Sequence, residues 1–119
     1  MTADQFRKIA LAFPDVVEAE HQRHPDFRRN GKIFATLGYP DDNYGMVKLT
    51  AEQQVAFMAT HGEVLTACNG AWGRAGCTNV LLAKANAKLA RDVMTHAIEN
   101  VGATPQTKSP RRSRREDSR

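Results

Sequence analysis

The chain has little of what usually reveals a chemistry or a cellular compartment. It contains 2 cysteines and 1 tryptophan in 119 residues, and neither cysteine belongs to a CxxC or CxxH spacing. A disulfide framework and a structural zinc site are therefore not expected. No apolar run approaches the roughly 20 residues of a membrane span, and the first residues lack the basic-then-apolar pattern of a secretion signal. These absences favour a cytoplasmic protein with free thiols.

Positive charge is balanced over most of the chain. Residues 1–103 contain 11 basic and 11 acidic side chains, whereas residues 104–119 contain 6 basic and 2 acidic ones. The formal net charge of +4 therefore lies entirely in the C-terminal segment. For this reason the basic overall composition does not by itself indicate a nucleic-acid-binding face on the domain.

The C-terminal segment differs from the rest of the chain in composition. Residues 104–119 contain no apolar side chain, two prolines and an arginine run, a composition typical of disorder. We predict a folded domain over residues 1–103 and a disordered basic tail over 104–119. Such a tail can bind any polyanion through salt-sensitive contacts, or it can serve as a solubilising extension. The tail residues predicted to contact nucleic acid are Arg111, Arg112, Arg114 and Arg115.

Hydrophobic periodicity and capping signals predict an α+β fold. Capping boxes at Thr2 and Thr50 begin two helices, and Asn86 can cap a third. Asn30-Gly31 is the strongest turn signal, because both residues tolerate the positive φ of a type I′ turn. The predicted helices cover about 3–12, from 51 to near His61-Gly62, and from 86 to 102. The glycine of His61-Gly62 is a C′ signal that ends the second helix. The predicted strands cover 16–22, 32–38, 44–49, 64–68 and 77–83. The order α-β(3)-α-β(2)-α suggests a two-layer sandwich, with a five-stranded antiparallel sheet and the first and last helices on its covered face.

Two segments carry a resemblance to a known family. Residues 24–37 read HPDFRRNGKIFATL, and residues 70–82 read GAWGRAGCTNVLL. Together they resemble the signature of the MmcQ/YjbR family, small bacterial proteins usually described as DNA-binding. The resemblance covers most of residues 5–102 and implies an α/β sandwich related in shape to secretion chaperones and bacterial frataxins. Many relatives carry tryptophan where Cys77 stands, so no role of an aromatic at that position is carried over.

The first segment is a candidate nucleic-acid contact. It is the one local basic concentration of the domain, and Phe27 could stack among phosphate-binding side chains. The alternative is a solvated loop and hairpin with Phe27 in the core and a tight turn at residues 24–27. The candidate contacts in this segment are His24, Arg28, Arg29 and Lys32.

The second segment supplies two further candidates, Trp72 and Arg74. Its glycines match no phosphate-binding loop, so we interpret it as a glycine-rich reversal between two strands. Trp72 then either lies on the sheet or projects from the tip beside Arg74, where it could stack on a base. Cys68 and Cys77 can face each other across this hairpin, and buried structural thiols are the simplest interpretation.

Catalysis has weaker support. His21 and His24 could be oriented by Asp26 or Glu20, but two histidines and a carboxylate fall short of a metal site, and no nucleophile or substrate cue accompanies them. We therefore expect no enzyme activity, no cofactor and no metal, and we favour a monomer. The first hypothesis is a non-enzymatic DNA-binding protein, the second a protein- or small-ligand-binding adaptor, and the third an enzyme that uses the two histidines. A continuous positive groove favours the first, and an apolar patch or a closed pocket favours the second.

Overall fold

A computed structural model describes residues 1–102, in which one antiparallel sheet is combined with four helices. The helices are α1 (Ala3–Leu11), α2 (Ala51–His61), α3 (Gly70–Arg74) and α4 (Ala87–Gly102), with a short 3₁₀ turn at Leu82–Lys84. The strands are β1 (Val17–His21), β2 (His24–Arg29), β3 (Lys32–Leu37), β4 (Tyr44–Lys48), β5 (Leu65–Ala67) and β6 (Cys77–Leu81). Their order across the sheet is β1-β2-β3-β4-β6-β5, so β1 and β5 are the edge strands. This arrangement confirms the predicted α+β class, and the predicted tail lies outside the described residues.

The sheet has six strands because residues 24–27 are not a turn. They belong to β2, which pairs with β1 on one side and β3 on the other. The reversal lies two residues earlier, where Gln22 and Arg23 adopt φ of 51° and 69°. Pro25 is compatible with β2 because the pairing with β3 begins only at Asp26, so the missing N–H of proline removes no hydrogen bond to that strand. The prediction of a tight turn at His24-Pro25-Asp26-Phe27, and with it the five-strand count, was wrong.

The turn at Asn30-Gly31 agrees with the prediction. Asn30 has φ of 56° and Gly31 has φ of 75°, which are the two positive values that a type I′ turn requires. The turn connects β2 to β3 as a tight hairpin. β3 and β4 also pair in the antiparallel sense, as their short connection requires.

The segment between β5 and β6 is a short helix rather than an open reversal. A Cβ atom placed on Gly73 would lie 1.8 Å from the carbonyl oxygen of Cys68. Only glycine therefore allows α3 to approach the end of β5 so closely. This helix corrects the sequence-based prediction, because five residues are too few to show a helical period.

The helices α1 and α4 cover one face of the sheet and enclose the core. The predicted apolar stripe of α4 is buried from Leu89 to Val101. Both capping boxes are present, at Thr2 and Thr50, and the Asn86 side-chain carbonyl accepts from the Leu89 N–H at 2.8 Å. α2 ends at His61 as predicted, but Gly62 is its C-cap, with φ of −63°, so the predicted C′ role of this glycine was wrong. Among residues 1–102, no helix has the length and apolar character needed to cross a membrane.

Candidate functional site

The sheet face opposite α1 and α4 holds a concave site. Thr36, Met46 and Asn79 lie side by side on β3, β4 and β6, and they alternate with the core residues of those strands. Around them is a cavity of about 360 Å³, which we call the open-face pocket. Its lining residues are His21, Gln22, His24, Ile33, Thr36, Tyr39, Pro40, Met46, Lys48, Cys68, Asn69, Trp72, Cys77 and Asn79.

Two large aromatic side chains of this lining remain open to solvent. Trp72 is 68% exposed and Tyr39 is 62% exposed. The Lys48 ammonium lies 5.8 Å from the centre of the Trp72 ring, within cation–π distance. The His24 ring meets Tyr39 edge to face, with 6.0 Å between the ring centres. Each exposed aromatic is thus accompanied by a basic side chain.

A buried carboxylate lies beneath the pocket wall. Asp26 is fully buried and accepts hydrogen bonds from the Arg28 guanidinium at 2.7 Å and 3.1 Å. Its other contact is His21 Nδ1 at 2.7 Å, and that nitrogen must donate because an ionised carboxylate only accepts. The hydrogen bond from Arg28 and the one from His21 hold the pKa of Asp26 below its usual range, although burial opposes the shift. The Asp26 contact therefore fixes the His21 ring and leaves its Nε2 for a ligand.

The electrostatic character of the lining follows from its composition. Among the lining residues that the structure describes, Lys48 carries the one permanent charge, and no carboxylate is present. The two histidines add further hydrogen-bonding nitrogens; because His21 Nδ1 donates to Asp26, Nε2 of the neutral His21 ring is an acceptor. The open-face pocket is consequently suited to a neutral or anionic ligand with an aromatic part.

The structure divides the sequence-predicted contacts among several places. His24 and Trp72 line the pocket, whereas Arg28 is held in its ion pair with Asp26. Arg29 and Lys32 lie opposite each other beside the Asn30-Gly31 turn, outside the lining. Arg74 is exposed on α3, next to the lining but not part of it.

Some site residues were not found from the sequence, and one candidate was wrong. Tyr39 and Lys48 were missed, although Lys48 follows Met46 at the two-residue spacing of one strand face, which is a usable signal. Phe27 is fully buried in the core and cannot stack on a base. The tail residues Arg111, Arg112, Arg114 and Arg115 lie outside the described part of the chain.

The two cysteines do face each other. Cys68 Sγ and Cys77 Sγ are 2.8 Å apart, and both are half-buried in the pocket wall rather than fully enclosed. Within residues 1–102, no three His, Cys, Asp or Glu side chains converge in a way that could hold a metal ion.

A family model for YjbR matches residues 11–99 of the chain. This chain belongs to the YjbR family. The matched range extends from the end of α1 into α4, so the YjbR domain includes the entire lining of the open-face pocket. The resemblance to the MmcQ/YjbR family is thereby confirmed.

A solved structure agrees with this YjbR assignment. This chain is similar to the crystal structure of the Deinococcus radiodurans protein DR2400, with a TM-score of 0.74 and 16% identity. DR2400 contains a domain that matches the DUF419 family model. The match covers 90% of this chain and 83% of that one. At this identity the likeness concerns the fold. Among curated proteins, none is significantly similar in sequence to the chain.

Proposed function

We propose that this YjbR-family protein binds DNA without catalysing a reaction, and that the open-face pocket receives an unpaired base. The observation that carries the proposal is the pair of exposed aromatics, Trp72 and Tyr39, beside a concavity without carboxylates. Base stacking on such side chains tolerates any sequence, because every base has a π face. The base contacts are therefore expected to be sequence-independent. The mainly electrostatic part of the affinity is expected from Lys48, Arg74 and the basic residues of the C-terminal segment, which meet the phosphates.

The dimensions and charges of the pocket support a base with its phosphate. A cavity of about 360 Å³ falls in the lower part of the range known for small-molecule sites, which is roughly 300–1,000 Å³. Lys48 lies against the Trp72 ring, where it can meet the phosphate of a stacked nucleotide. Arg74 on α3 and the basic tail can contact neighbouring phosphates. Duplex DNA keeps its bases paired, so single strands are the favoured form.

A second function is supported by the same cavity. Ile33 and Met46 give the pocket an apolar part, which a free aromatic anion could occupy without any polymer. The protein would then be a small-ligand-binding adaptor. The shared chemistry is an aromatic ring that carries a negative charge.

The test is a comparison of ligands on the full chain. Fluorescence anisotropy is measured with one labelled single strand, the matching duplex, an RNA of the same sequence and a labelled mononucleotide. We expect the single strand to bind more tightly than the duplex, and Trp72→Ala to weaken that binding about tenfold, since stacking contributes about 1–3 kcal/mol per base. Lys48→Ala should also weaken binding and reduce its salt dependence.

Two matched controls address folding and general surface effects. Val55→Ala removes a side chain that is also 68% exposed, but on α2 and outside the pocket. Arg91→Ala removes an exposed cation of α4. Both should bind like the unmodified chain. The proposal is contradicted if the chain does not bind at physiological salt, or if Trp72→Ala leaves binding unchanged. Equal affinity for a mononucleotide and the oligomer would favour the second function.

A further inference from the structure

The cysteine pair is a feature that nucleic-acid binding does not use. Cys68 follows β5 and Cys77 begins β6, and their sulfurs are in direct contact at 2.8 Å. A covalent S–S bond is about 2.05 Å long, so the two thiols are close to bonding distance. Both side chains are half-buried and line the open-face pocket, where a small reagent can reach them.

We propose that Cys68 and Cys77 are a redox-active dithiol, which a low-molecular-weight disulfide such as oxidised glutathione converts reversibly into an intramolecular disulfide. The proposal goes beyond DNA binding and does not depend on it. It assigns a modification site to the pocket wall.

The backbone geometry favours this bond. Ala67 and Thr78 are opposed in the β5–β6 ladder, and the Cys68 N–H donates to the Cys77 carbonyl at 3.0 Å. The two cysteines are thus the next opposed pair of that ladder. Opposed residues joined by backbone hydrogen bonds have Cα atoms about 5.5 Å apart, which falls within the range of about 4.4–6.8 Å that a disulfide requires.

The environment distinguishes the two thiols. Cys68 Sγ donates toward Cys77 Sγ and toward Asn79 Oδ1, and Lys48 is the strand partner of Cys77 on β4. The hydrogen bond from Cys68 and the nearby Lys48 charge lower the pKa of Cys77, whereas the contact with Cys77 and burial raise the pKa of Cys68. Cys77 is therefore the attacking thiolate, because the thiolate is the nucleophile in exchange.

The reaction balances as an ordinary thiol–disulfide exchange. The Cys77 thiolate attacks one sulfur of oxidised glutathione, whose S–S bond breaks and releases one glutathione thiolate. Cys68 gives up its proton and attacks the Cys77 sulfur of the mixed disulfide, which releases the second glutathione. Two electrons pass from the cysteine pair to oxidised glutathione, and the two thiol protons end on the two released glutathione molecules.

The disulfide would constrain the helix that carries Trp72. Residues 69–76 separate the two cysteines and contain all of α3, and Gly73 already packs against the Cys68 carbonyl. A bond between the ends of this segment restricts its motion. Because Trp72 is the chain's one tryptophan, its fluorescence reports on this segment directly.

The experiment treats the reduced full chain with oxidised glutathione and follows free thiols, intact mass and Trp72 fluorescence. We expect both thiols to disappear, with a decrease in mass equal to two hydrogen atoms, a change in Trp72 emission, and full reversal by dithiothreitol. Three results would overturn the proposal. The thiols could persist under conditions that oxidise free dithiothreitol, the unmodified chain could keep a stable glutathione adduct, or disulfides could form only between chains.

Two serine variants test the order of the steps. Cys68→Ser should retain one glutathione per chain, because Cys77 can attack but nothing resolves the adduct. Cys77→Ser should react about tenfold more slowly, because Cys68 remains half-buried and Lys48 is the strand partner of position 77 and not of Cys68, so less of the remaining thiol is thiolate. Equal rates for the two variants would overturn the assignment of Cys77 as the attacking group. The mass measurement on the unmodified chain stands independently if either variant fails to fold.

Discussion

Asp26 shows how one residue supports the site without facing a ligand. It is fully buried, yet it holds Arg28 through two hydrogen bonds and His21 through a third. A buried carboxylate is tolerated because these donors replace the water that it gives up. Its consequence for function is the fixed orientation of His21 in the pocket wall.

The Asp26 ion pair makes stability depend on pH. The folded state lowers the pKa of Asp26, so the pair contributes fully above the ordinary carboxyl pKa of roughly 4. That contribution is lost as the pH falls through the lower, folded-state pKa. We expect Asp26→Asn to reduce the free energy of unfolding at neutral pH by about 2 kcal/mol and to flatten its acid dependence, measured by urea denaturation at several pH values.

An exposed carboxylate provides the control for this experiment. Glu20 lies on the neighbouring strand β1 and is exposed, so Glu20→Gln should leave both the stability and its pH profile nearly unchanged. If Asp26→Asn and the unmodified chain lose stability in parallel as acid is added, the ion pair is not the source of the dependence.

Gly31 allows the turn between β2 and β3 to be tested at one position. Its φ is 75°, and a Cβ atom there would meet nothing within 4 Å, so any cost of substitution is conformational. We expect Gly31→Val to destabilise the domain by roughly 1–2 kcal/mol, because a β-branched residue is strained at positive φ. Gly31→Asn is the control, since asparagine tolerates this region. Equal melting temperatures for both variants would be inconsistent with the turn.

The elements differ in how well the sequence predicts them. α1, α2 and α4 follow from capping boxes or a cap followed by an apolar stripe, and the Asn30-Gly31 hairpin follows from local backbone preference. β2 was not predicted, because Pro25 and Asp26 are typical of turns and because the ion pair that allows Asp26 to be buried is a tertiary contact. α3 was not predicted, because it depends on the close approach of Gly73 to Cys68, which no local sequence pattern indicates.

The packing of α3 can be tested through Gly73. Alanine would place a Cβ atom 1.8 Å from the Cys68 carbonyl oxygen, so either α3 or the end of β5 must move. We expect Gly73→Ala to destabilise the domain by about 1–3 kcal/mol, the usual cost of overpacking, and to shift the Trp72 emission. Both quantities are measured in one denaturant titration. Ala71→Ser, at an exposed position of the same helix, should change neither, and a Gly73→Ala variant that matched it would disprove the close packing.

At the scale of the whole molecule, the site assembles from several strands, one helix and the loops between them. His21 and His24 come from the first hairpin, Lys48 from β4 and Trp72 from α3, and only the sheet order brings them together. The two family segments predicted His24 and Trp72. The spacing of Lys48 from Met46 indicates a shared strand face, but that this face lines a site, and that Tyr39 borders it, depends on which strand faces become neighbours in the sheet.

The location of the charge leads to a prediction for the full chain. Residues 104–119 hold 6 basic and 2 acidic side chains, while the remainder is balanced. We expect deletion of this segment to remove most affinity for duplex DNA and to flatten the log–log salt dependence by about 0.9 for each phosphate that is no longer neutralised. Binding of a single strand that remains should still respond to Trp72→Ala. Binding is measured by anisotropy across a salt series. An unchanged salt slope would mean that the segment does not bind phosphates.

The position of β1 at the edge of the sheet has a consequence for colloidal behaviour. An edge strand presents unpaired backbone groups that can recruit a strand of another molecule. Here Glu18 and Glu20 lie on the same face of β1 and alternate with the 60%-exposed Val17 and with Ala19. Glu18 is paired with Arg7 at 3.2 Å, so among the described residues Glu20 supplies the unpaired charge of this face, and in a pairing of two such edges the Glu20 carboxylates would be brought near one another. Their repulsion acts as a safeguard against aggregation. We expect Glu20→Gln, which removes the charge but keeps a polar side chain of similar size, to weaken that safeguard. Light scattering on heating should then begin at a lower temperature than in the unmodified chain; onset at the same temperature would show that another part of the surface keeps the molecules apart.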